Sequence, residues 1–373
     1  MNKNNLLNFN NYPLGKILFL LILLISLFSV IMIFSASSPI AAEKFNSSFY
    51  FLKRHLLWLM IGYIFLFLGY LIDLKKLQNI SIFLMFFAII LLLLVLFPSI
   101  GYSVGGAKRW IRVSNFGFQP SEIAKIIFII YLASWLDRKH QFMNRNFTHL
   151  LPNFILLGTA LVLIYKEPDL GTVILMGIIF LLMFIVSGID KKYIISFFVL
   201  GTAGFFYSII STSYRLKRVL AFLNPFDHFS DSGYQVVQSY LAIANSGIFG
   251  KGIGGSKLKL LYLPEAHTDF IFSIIIEELG IFGTTSVILF YILFVFISTK
   301  IILKENNYFS KLLGFGLIMS ISTQAFINIA VITGTFPTKG ITLPFLSFGG
   351  TSLVMTMFSA GIILNIYKRT ANI

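Results

Sequence analysis

Long apolar runs, separated by shorter polar connections, constrain this chain more than any other feature of its 373 residues. Each run approaches the ~20 residues with which an α-helix crosses a hydrocarbon layer of ~30 Å. Because that layer contains no water, the backbone of each run must satisfy its own hydrogen bonds, which favours helices. The sequence therefore predicts an all-α polytopic membrane protein with about ten transmembrane helices, at residues 15–36, 55–72, 78–97, 120–136, 150–165, 170–187, 193–211, 268–298, 309–333 and 343–366.

The composition agrees with this class of protein and excludes several kinds of site. Hydrophobic residues make up 57% of the chain and charged residues 12%, against about 25% charged residues in soluble domains. We expect a single membrane domain over 1–373, with a large extracytoplasmic loop at about 212–267 between the seventh and eighth spans. The chain contains no cysteine, which excludes disulfides and a cysteine nucleophile, and its five histidines show no metal-ligand spacing.

The distribution of basic residues predicts the orientation. The first span is too long for the apolar part of a signal peptide, so we expect it to be retained. An even number of spans places both termini on one side, and the short basic connections at 73–76 and 188–192 indicate that this side is the cytoplasm. The formal net charge of +15 is dispersed over loops, which does not fit nucleic-acid binding and favours contacts with anionic lipid headgroups.

A cluster of polar side chains stands where a long polar loop enters the eighth predicted span. The stretch Pro264–Phe272 contains an imidazole, a hydroxyl and a carboxylate in consecutive positions, at His267, Thr268 and Asp269. Polar groups held at a membrane boundary are costly, so such a cluster indicates chemistry more often than packing. The alternative is that Thr268 caps the helix and Asp269 complements its positive end.

Other segments on the same predicted side of the membrane add polar residues to this face. Gln119–Glu122 opens the fourth span and Glu167–Thr172 opens the sixth, each with the proline and acid that commonly start a helix. The last outer loop contains Gly334–Gly340 and then Leu343–Ser352, which includes Ser347. Irregular backbone that enters the membrane must be buried in protein or line a cavity. The concentration of polar residues on one face therefore predicts a binding site there.

Cations and amides near this face supply candidate groups for binding phosphate and sugar hydroxyls. Gln235 and Gln238 stand three residues apart and share a face if this segment is helical, although a solvated face of an amphipathic helix is an equal alternative. Glu122 and Lys125 have the same spacing and can instead neutralise each other. The candidate substrate-binding residues are Lys108, Arg109, Glu122, Lys125, Arg215, Arg218, Gln235, Gln238, Ser239, Lys257, His267, Thr268 and Ser347.

Two further patterns concern the loop before the eighth span and the span itself. The glycine-dense run 247–255 fits neither a Walker loop nor a dinucleotide fingerprint, and it predicts a close approach of its backbone to a neighbour. Glu277 and Glu278 lie deeper in the span, where a carboxylate needs a cation, a hydrogen bond or a proton. The sequence does not identify their partners.

Motifs that extend from the first predicted span to the last carry a resemblance to a known family. They are Gly105–Ile111, Gln119–Lys125, Glu167–Thr172, Tyr234–Ser239, Pro264–Phe272, Glu277–Gly280 and Leu343–Ser352. Together they resemble the SEDS family (shape, elongation, division and sporulation), the polytopic peptidoglycan glycosyltransferases. Glu167–Asp169, Ala266 before His267, and Thr338–Pro344 are more similar to the division members (FtsW) than to the elongation members (RodA). One departure is Asn245–Gly247, where family members often have two glycines.

The resemblance implies an activity, partners and a catalytic residue. It implies polymerisation of lipid II into glycan strands at the outer face of the cytoplasmic membrane, during septal wall synthesis in cell division. It also implies a class B penicillin-binding transpeptidase (FtsI-like) and other division proteins as partners. Asp269 matches the family's essential aspartate.

This reaction would join the free hydroxyl of one lipid-linked saccharide to the anomeric carbon of another, and a lipid pyrophosphate would leave. Because pyrophosphate leaves as a stable anion, one general base and several cations suffice, whereas glycosidases need two carboxylates. We assign Asp269 as this base. A divalent cation, Mg²⁺ or Mn²⁺, is compatible with the chemistry, although the sequence shows no ligand cluster. The cations expected to offset the pyrophosphate charge are Lys108, Arg109, Lys125, Arg215 and Arg218.

Three alternatives stay open at this point. A transporter that flips a lipid-linked wall precursor would also need many spans and a cationic cavity, although we find no convincing repeat between the two halves. A noncatalytic scaffold would not need the polar cluster at Asp269. An elongation polymerase of the RodA type would share the chemistry and differ in cellular role.

Overall fold

The computed structural model describes residues 13–104, 106–113, 116–139, 151–229, 233–260 and 266–371. Within these ranges the chain forms thirteen helices and one small sheet. The helices are α1 (Leu14–Phe45), α2 (Tyr50–Leu71), α3 (Leu74–Asn79), α4 (Ser81–Leu96), α5 (Pro120–Lys139), α6 (Leu151–Lys166), α7 (Leu170–Ser187), α8 (Lys191–Ile210), α9 (Ser213–Leu223), α10 (Tyr234–Ser246), α11 (Ile271–Leu303), α12 (Tyr308–Ile332) and α13 (Gly350–Ala371).

Each predicted span overlaps a helix of at least 16 residues. In the described part of the chain, seven helices are long and apolar enough to cross a membrane, namely α1, α2, α7, α8, α11, α12 and α13. Helices α4 and α6 are apolar but shorter, with 16 residues each. Helix α5 has 20 residues and carries Glu122 in its first turn. The prediction of an all-helical polytopic membrane protein is therefore confirmed.

The start of the last helix differs from the prediction, which placed the tenth span at 343–366. Residues 343–349 are irregular, and α13 begins only at Gly350. Phe345, which follows Pro344, has a φ of 67°. That left-handed backbone cannot continue a right-handed helix. The apolar residues before Gly350 therefore belong to an inserted loop, whose side chains at Leu343, Phe345 and Leu346 are buried.

A small antiparallel sheet was not predicted from the sequence. Its strands are β1 (Gly101–Val104), β2 (Ala107–Val113) and β3 (Phe116–Phe118), in the order β1-β2-β3. Gly101 pairs with Ile111, and Ile111 pairs in turn with Phe118. Because β3 ends just before α5, the sheet places the cations of β2 beside the start of that helix. We call this end of the helical bundle, which also contains 167–169, 266–270 and 333–349, the sheet face.

The tightest helix packing joins α2 and α13 through glycines. A Cβ added at Gly361 would lie 2.1 Å from the carbonyl oxygen of Leu66, and one added at Gly69 would lie 2.6 Å from the carbonyl oxygen of Phe358. Both distances are too short for any larger side chain. Small residues of this kind let membrane helices approach backbone to backbone. Helices α2 and α13 are therefore in direct backbone contact on one side of the bundle.

Helix α11 contains a kink that receives the loop after α10. Gly280 has φ 57° and ψ −138°, outside the helical region. The N–H of Ile281 donates to the carbonyl of Ile248 (3.0 Å), and the N–H of Gly252 donates to the carbonyl of Glu278 (2.9 Å). A Cβ at Gly250 would lie 2.3 Å from that same carbonyl oxygen. The close backbone approach predicted for the glycine-dense run is therefore confirmed.

The same loop supplies the partners of the two deep carboxylates. Glu277 accepts from Lys251 Nζ at 2.7 Å and from the backbone N–H of Lys257 at 3.2 Å. Glu278 accepts from Lys259 Nζ at 2.8 Å and from Ser35 Oγ at 2.7 Å, so α1 joins the network. Each buried charge is thus paired and hydrogen-bonded, which its burial requires.

Candidate active site

Asp269 lies in the turn 266–270 immediately before α11, and its side chain is half-buried. Its backbone carbonyl accepts a hydrogen bond from Asn328 Nδ2 at 2.8 Å. A Cβ added at Gly340 would lie 2.9 Å from Asp269 Oδ2. The carboxylate therefore stands directly against the backbone of the loop 333–349, at a position where glycine leaves the space it occupies.

His267 and Ser347 fix the turn that carries Asp269. The N–H of Phe348 donates to the carbonyl of His267 at 2.9 Å, and the imidazole packs against the rings of Phe51 and Phe348 at 4.3 and 5.5 Å. Burial, with the charge of Lys44 in addition, lowers the pKa of His267 to about 4, so its ring is neutral near pH 7. Ser347 Oγ accepts from the N–H of Leu343 at 2.7 Å. Binding of substrate by His267, Thr268 and Ser347 stays a prediction.

Lys339, one residue before Gly340, is a site cation that was not among the candidate residues. The pKa of Lys339 is lowered to about 8, mainly by burial; the charge of Asp169 opposes this shift, and the charges of Arg215 and Arg218 contribute to it. These four charged groups therefore share one region of the sheet face. Lys339 stands in the Thr338–Pro344 stretch that resembles the division members, but the sequence does not distinguish it from the other loop lysines.

Arg215 and Arg218 of α9 are attached to this region by hydrogen bonds. Arg215 donates to Tyr165 Oη at 2.6 Å, and its guanidinium stands 4.5 Å from the centre of that ring. Arg218 donates to the carbonyl of Thr338 at 3.3 Å. The structure thus brings these two predicted phosphate-binding residues together with Lys339, although they are more than a hundred residues apart in the chain.

An apolar cavity of about 980 Å³ adjoins these cations. Its walls are side chains of α6, α7 and α8, such as Phe154, Ile174 and Phe197. Tyr165 and Lys339 also line it. The cavity therefore combines a long apolar interior with a cationic group at the sheet face.

Arg109, on β2, connects the sheet to the turn between α6 and α7. It donates to the backbone carbonyls of Glu167 (3.2 Å) and Pro168. Gln119 Nε2 donates to Asp169 Oδ2 at 3.3 Å, and Asp169 caps α7 by accepting from the N–H of Thr172 at 3.2 Å. Burial, with the negative charge of Asp169 in addition and Arg109 in opposition, raises the pKa of Glu167 to about 9. Glu167 is therefore a neutral acid near pH 7.

Lys125 and Glu122 pair with each other inside the protein. Lys125 Nζ lies 2.8 Å from Glu122 Oε2 and 2.7 Å from Gln324 Oε1, and Lys125 is 3% exposed. This is the alternative in which the two charges neutralise each other along one helix. A role of either residue in binding substrate stays a prediction.

The remaining candidates occupy three further places. Lys108 is exposed on β2, and Lys257 is exposed in the loop that contacts Glu277. On α10, Gln238 and Ser239 are buried, and Ser239 Oγ accepts from Ser273 Oγ at 3.2 Å. This segment is helical, so the two glutamines lie one turn apart on one face of α10.

A resident metal would need a group of ligands. Among the residues that the structure describes, no three His, Asp or Glu side chains lie together in a suitable arrangement. Asp169, whose charge acts on Lys339, already accepts from Thr172 and Gln119. A divalent cation therefore stays a prediction.

Comparisons with known proteins agree with this architecture. Residues 15–372 match the model of the cell cycle protein family that comprises FtsW, RodA and SpoVE. A probable peptidoglycan glycosyltransferase FtsW of Geobacter sulfurreducens is 38% identical over 353 residues, which are 95% of each chain. The stage V sporulation protein E of Bacillus subtilis is 37% identical over 352 residues, covering 94% of this chain and 96% of that protein.

Solved structures show the same fold. A chain from a peptidoglycan synthase complex that coordinates polymerization and crosslinking superposes with a TM-score of 0.77 at 24% identity, over 95% of this chain and 97% of that chain. The rod shape determining protein RodA of Thermus thermophilus superposes with a TM-score of 0.69 at 22% identity, over 94% of this chain and 95% of that one.

Fold and site together define a multi-pass helical membrane protein with a polar site at one end of its bundle. The family match and the close relatives make the assignment more specific. The chain belongs to the cell cycle protein family of FtsW, RodA and SpoVE.

Proposed function

We propose that this protein is a peptidoglycan glycosyltransferase that polymerises lipid II into glycan strands during septal wall synthesis. The observation that carries the proposal is the arrangement at the sheet face. The carboxylate of Asp269 adjoins Gly340, and the residue before Gly340 is the cation Lys339. Lys339 in turn lines the apolar cavity. An enzyme that polymerises a lipid-linked diphosphate sugar needs a base for the acceptor hydroxyl, cations for the diphosphate and an apolar space for the lipid.

Asp269 acts as the general base. Its carboxylate takes the proton from the hydroxyl of the acceptor saccharide, and the hydroxyl oxygen attacks the anomeric carbon of the donor chain. As the new glycosidic bond forms, the bond between that carbon and the phosphate oxygen breaks, and lipid pyrophosphate leaves with the bonding electrons. This leaving group needs no proton, so a single carboxylate suffices.

Lys339, Arg215 and Arg218 stabilise the departing pyrophosphate. Negative charge develops on the bridging oxygen as the bond breaks, and fixed cations near it lower the energy of the transition state. The two arginines are held by Tyr165 and by the carbonyl of Thr338, so they are oriented before substrate arrives. Arg109 supports the neighbouring turn through its backbone carbonyls.

The apolar cavity between α6, α7 and α8 accommodates part of the polyprenyl chain. Its interior matches a hydrocarbon ligand, and its cationic end matches the diphosphate to which that ligand is joined. Ser208 is the one buried residue of α8 among those described, so this helix packs loosely and leaves the cavity accessible from the membrane.

Orientation and partners follow from the same proposal. Lipid II is polymerised outside the cytoplasm, so the sheet face is extracytoplasmic and both termini are cytoplasmic. A class B penicillin-binding transpeptidase crosslinks the strands, and the structural similarity to a chain of a peptidoglycan synthase complex supports such a partner. The FtsW relatives favour a role in division over elongation.

One observation also suits a lipid flippase, namely that the cavity is bordered by the loosely packed α8. The deciding experiment is incubation of the purified protein and its transpeptidase partner with labelled lipid II, followed by gel analysis of glycan strands. A vesicle assay of lipid II movement between leaflets is run on the same preparation. We expect polymer, whereas leaflet exchange without polymer would establish the flippase instead.

A further inference from the structure

Two buried side-chain amides on α12 donate hydrogen bonds to backbone carbonyls near the proposed catalytic carboxylate, in the turn 266–270 and in the loop 333–349. Gln324 and Asn328 stand four residues apart and therefore on one face of the helix, and each is 2% exposed. We propose that they are positioning residues that form a clamp, Asn328 by joining the Asp269 turn to the loop 333–349 and Gln324 by holding that loop on α12, a proposal that rests on the function assigned above. Neither residue belongs to the motifs that identified the family.

Asn328 uses both hydrogens of its amide for this purpose. Nδ2 donates to the carbonyl of Asp269 at 2.8 Å and to the carbonyl of Ile341 at 2.6 Å. The Asp269 carbonyl precedes the first turn of α11, where Ser273 bonds to Phe270, so it needs a donor from outside the helix. One side chain therefore joins the two segments whose contact places the carboxylate against Gly340.

Gln324 makes the second connection, and Lys125 fixes its orientation. An ammonium group can only donate, so Lys125 Nζ must face the amide oxygen of Gln324, which it does at 2.7 Å. The amide nitrogen then points to the carbonyl of Thr342 at 3.0 Å. Glu122 balances the buried charge of Lys125 at 2.8 Å. The buried ion pair thus orients Gln324 and, through it, the loop 333–349.

The clamp acts on the geometry of the reaction rather than on its chemistry. The carboxylate must reach the acceptor hydroxyl while the neighbouring cations reach the pyrophosphate. Because Asp269 and Lys339 lie on separate segments, only contacts between those segments fix the distance between base and cations. A misplacement of ~1 Å in such a constellation can cost ~100-fold in rate.

The chain provides a matched control for a purely structural role. Asn365 on α13 is also buried, and its Nδ2 also bridges two backbone carbonyls, those of Gly69 (3.1 Å) and Ile72 (2.6 Å). These carbonyls lie at the end of α2, the opposite end of that helix from the residues that contact His267. Asn328→Ala and Asn365→Ala therefore remove equivalent pairs of hydrogen bonds at two different places.

The experiment compares both variants with the wild-type chain in complex with the transpeptidase partner. Three quantities are measured: the unfolding temperature, the amide hydrogen exchange of segments 266–272 and 338–343, and kcat and KM for polymerisation of labelled lipid II. We expect similar decreases in unfolding temperature for the two variants. Only Asn328→Ala should exchange faster in both segments and lose ~10- to 100-fold in kcat, with KM within ~2-fold of wild type.

Two results would overturn the clamp. One is a wild-type kcat in Asn328→Ala, and the other is an equal loss of kcat in Asn365→Ala. If the wild-type protein makes no polymer, the proposed function fails, and the exchange data still decide the clamp, since unchanged protection in Asn328→Ala rejects it. If Asn328→Ala does not purify as a folded protein, Asn328→Ser, which keeps one donor, replaces it and should show intermediate exchange and turnover.

Discussion

Lys339 is the residue at which the electrostatics of the site converge. Its ammonium group is partly buried near two arginines, and both effects disfavour its charged form, so its pKa falls to about 8. Asp169 offsets part of this cost. An anionic ligand would restore the balance, because a pyrophosphate brings the negative charge that the three cations lack. The surroundings of Lys339 are therefore those of an anion-binding residue.

This pKa predicts a dependence of activity on pH. Lys339 is protonated below about 8 and loses its charge as the pH rises through that value. Because only the charged form stabilises the departing pyrophosphate, kcat/KM for lipid II should fall as the pH rises through about 8. Arginine stays charged throughout this range, so Lys339→Arg should move the fall to higher pH. Identical profiles for the two proteins would show that Lys339 does not control the reaction.

At this scale the sequence identified some site residues and not others. Asp269 was recognisable because it stands in a short polar stretch at the start of an apolar run. Lys339 and Asn328 were not recognisable. Lys339 is distinguished by its interaction with the charge of Arg215, and Asn328 by its hydrogen bond to Asp269, and both partners are distant in the chain. A single sequence without its tertiary contacts does not rank one loop lysine or one helix amide above another.

Among the elements, the inserted loop 333–349 and the start of α11 form the interface that carries the proposed base. Their backbones meet where Gly340 faces the carboxylate of Asp269. The loop is irregular because Pro344 and the left-handed Phe345 interrupt the apolar run that the sequence analysis assigned to a helix. An apolar run alone could not distinguish this loop from a membrane span.

Gly340→Ala tests that interface. The added methyl group would lie 2.9 Å from Asp269 Oδ2, so the carboxylate has to move. We expect a loss of ~10- to 100-fold in kcat, since small displacements of a catalytic group are costly, with little change in unfolding temperature. Gly117→Ala is the control, because its new Cβ meets only Trp110 at 3.8 Å. A Gly340→Ala protein as active as the control would contradict the close contact.

Helix α11 shows a second limit of the sequence at the scale of elements. The apolar run predicted the helix, and the glycine-dense run predicted a close backbone approach. The two segments meet at the kink at Gly280. There the N–H of Gly252 in the loop donates to α11, and the N–H of Ile281 in α11 donates to the loop. The pairing of Glu278 with Lys259 follows from that docking and has no separate signal in the sequence.

The whole molecule combines a tightly packed side with a loosely packed one. Helices α2 and α13 meet through glycines at Gly69 and Gly361, whereas α8 keeps almost all of its side chains accessible. The apolar cavity lies on the loose side and leads to the cations of the sheet face. The proposed route of the lipid substrate therefore lies on the loosely packed side, opposite the closely packed pair α2 and α13.

A bulky side chain in the cavity tests this arrangement. Gly177 lines the cavity, and a Cβ there would meet nothing within 4 Å, so Gly177→Phe fills the space without disturbing the helix. We expect it to raise KM for lipid II with a full-length polyprenyl chain by ~10-fold or more and to affect a short-chain analogue less, since the lost contacts are apolar. Gly177→Ala serves as control. Equal effects on both substrates would place the lipid elsewhere.

At the scale of the molecule the sequence was most informative. All ten apolar runs could be recognised because each has to satisfy the same hydrocarbon layer, a constraint local to each run, although the last run begins with the inserted loop rather than with α13. The sheet at 101–118 escaped prediction because its strands are short and derive their order from pairing with each other and from packing on α4 and α5. The cavity is likewise a property of how α6, α7 and α8 pack.

The central claim, that Asp269 is the base of a glycan polymerase, is tested most directly by polymerisation of labelled lipid II with Asp269→Asn and Asp73→Asn. Both replace an acid at a helix start, and Asp73 caps α3 through the N–H of Lys75. Asparagine keeps the shape but cannot take the acceptor proton. The account predicts no glycan polymer from Asp269→Asn and wild-type amounts from Asp73→Asn. Polymer from Asp269→Asn at the wild-type rate would contradict it.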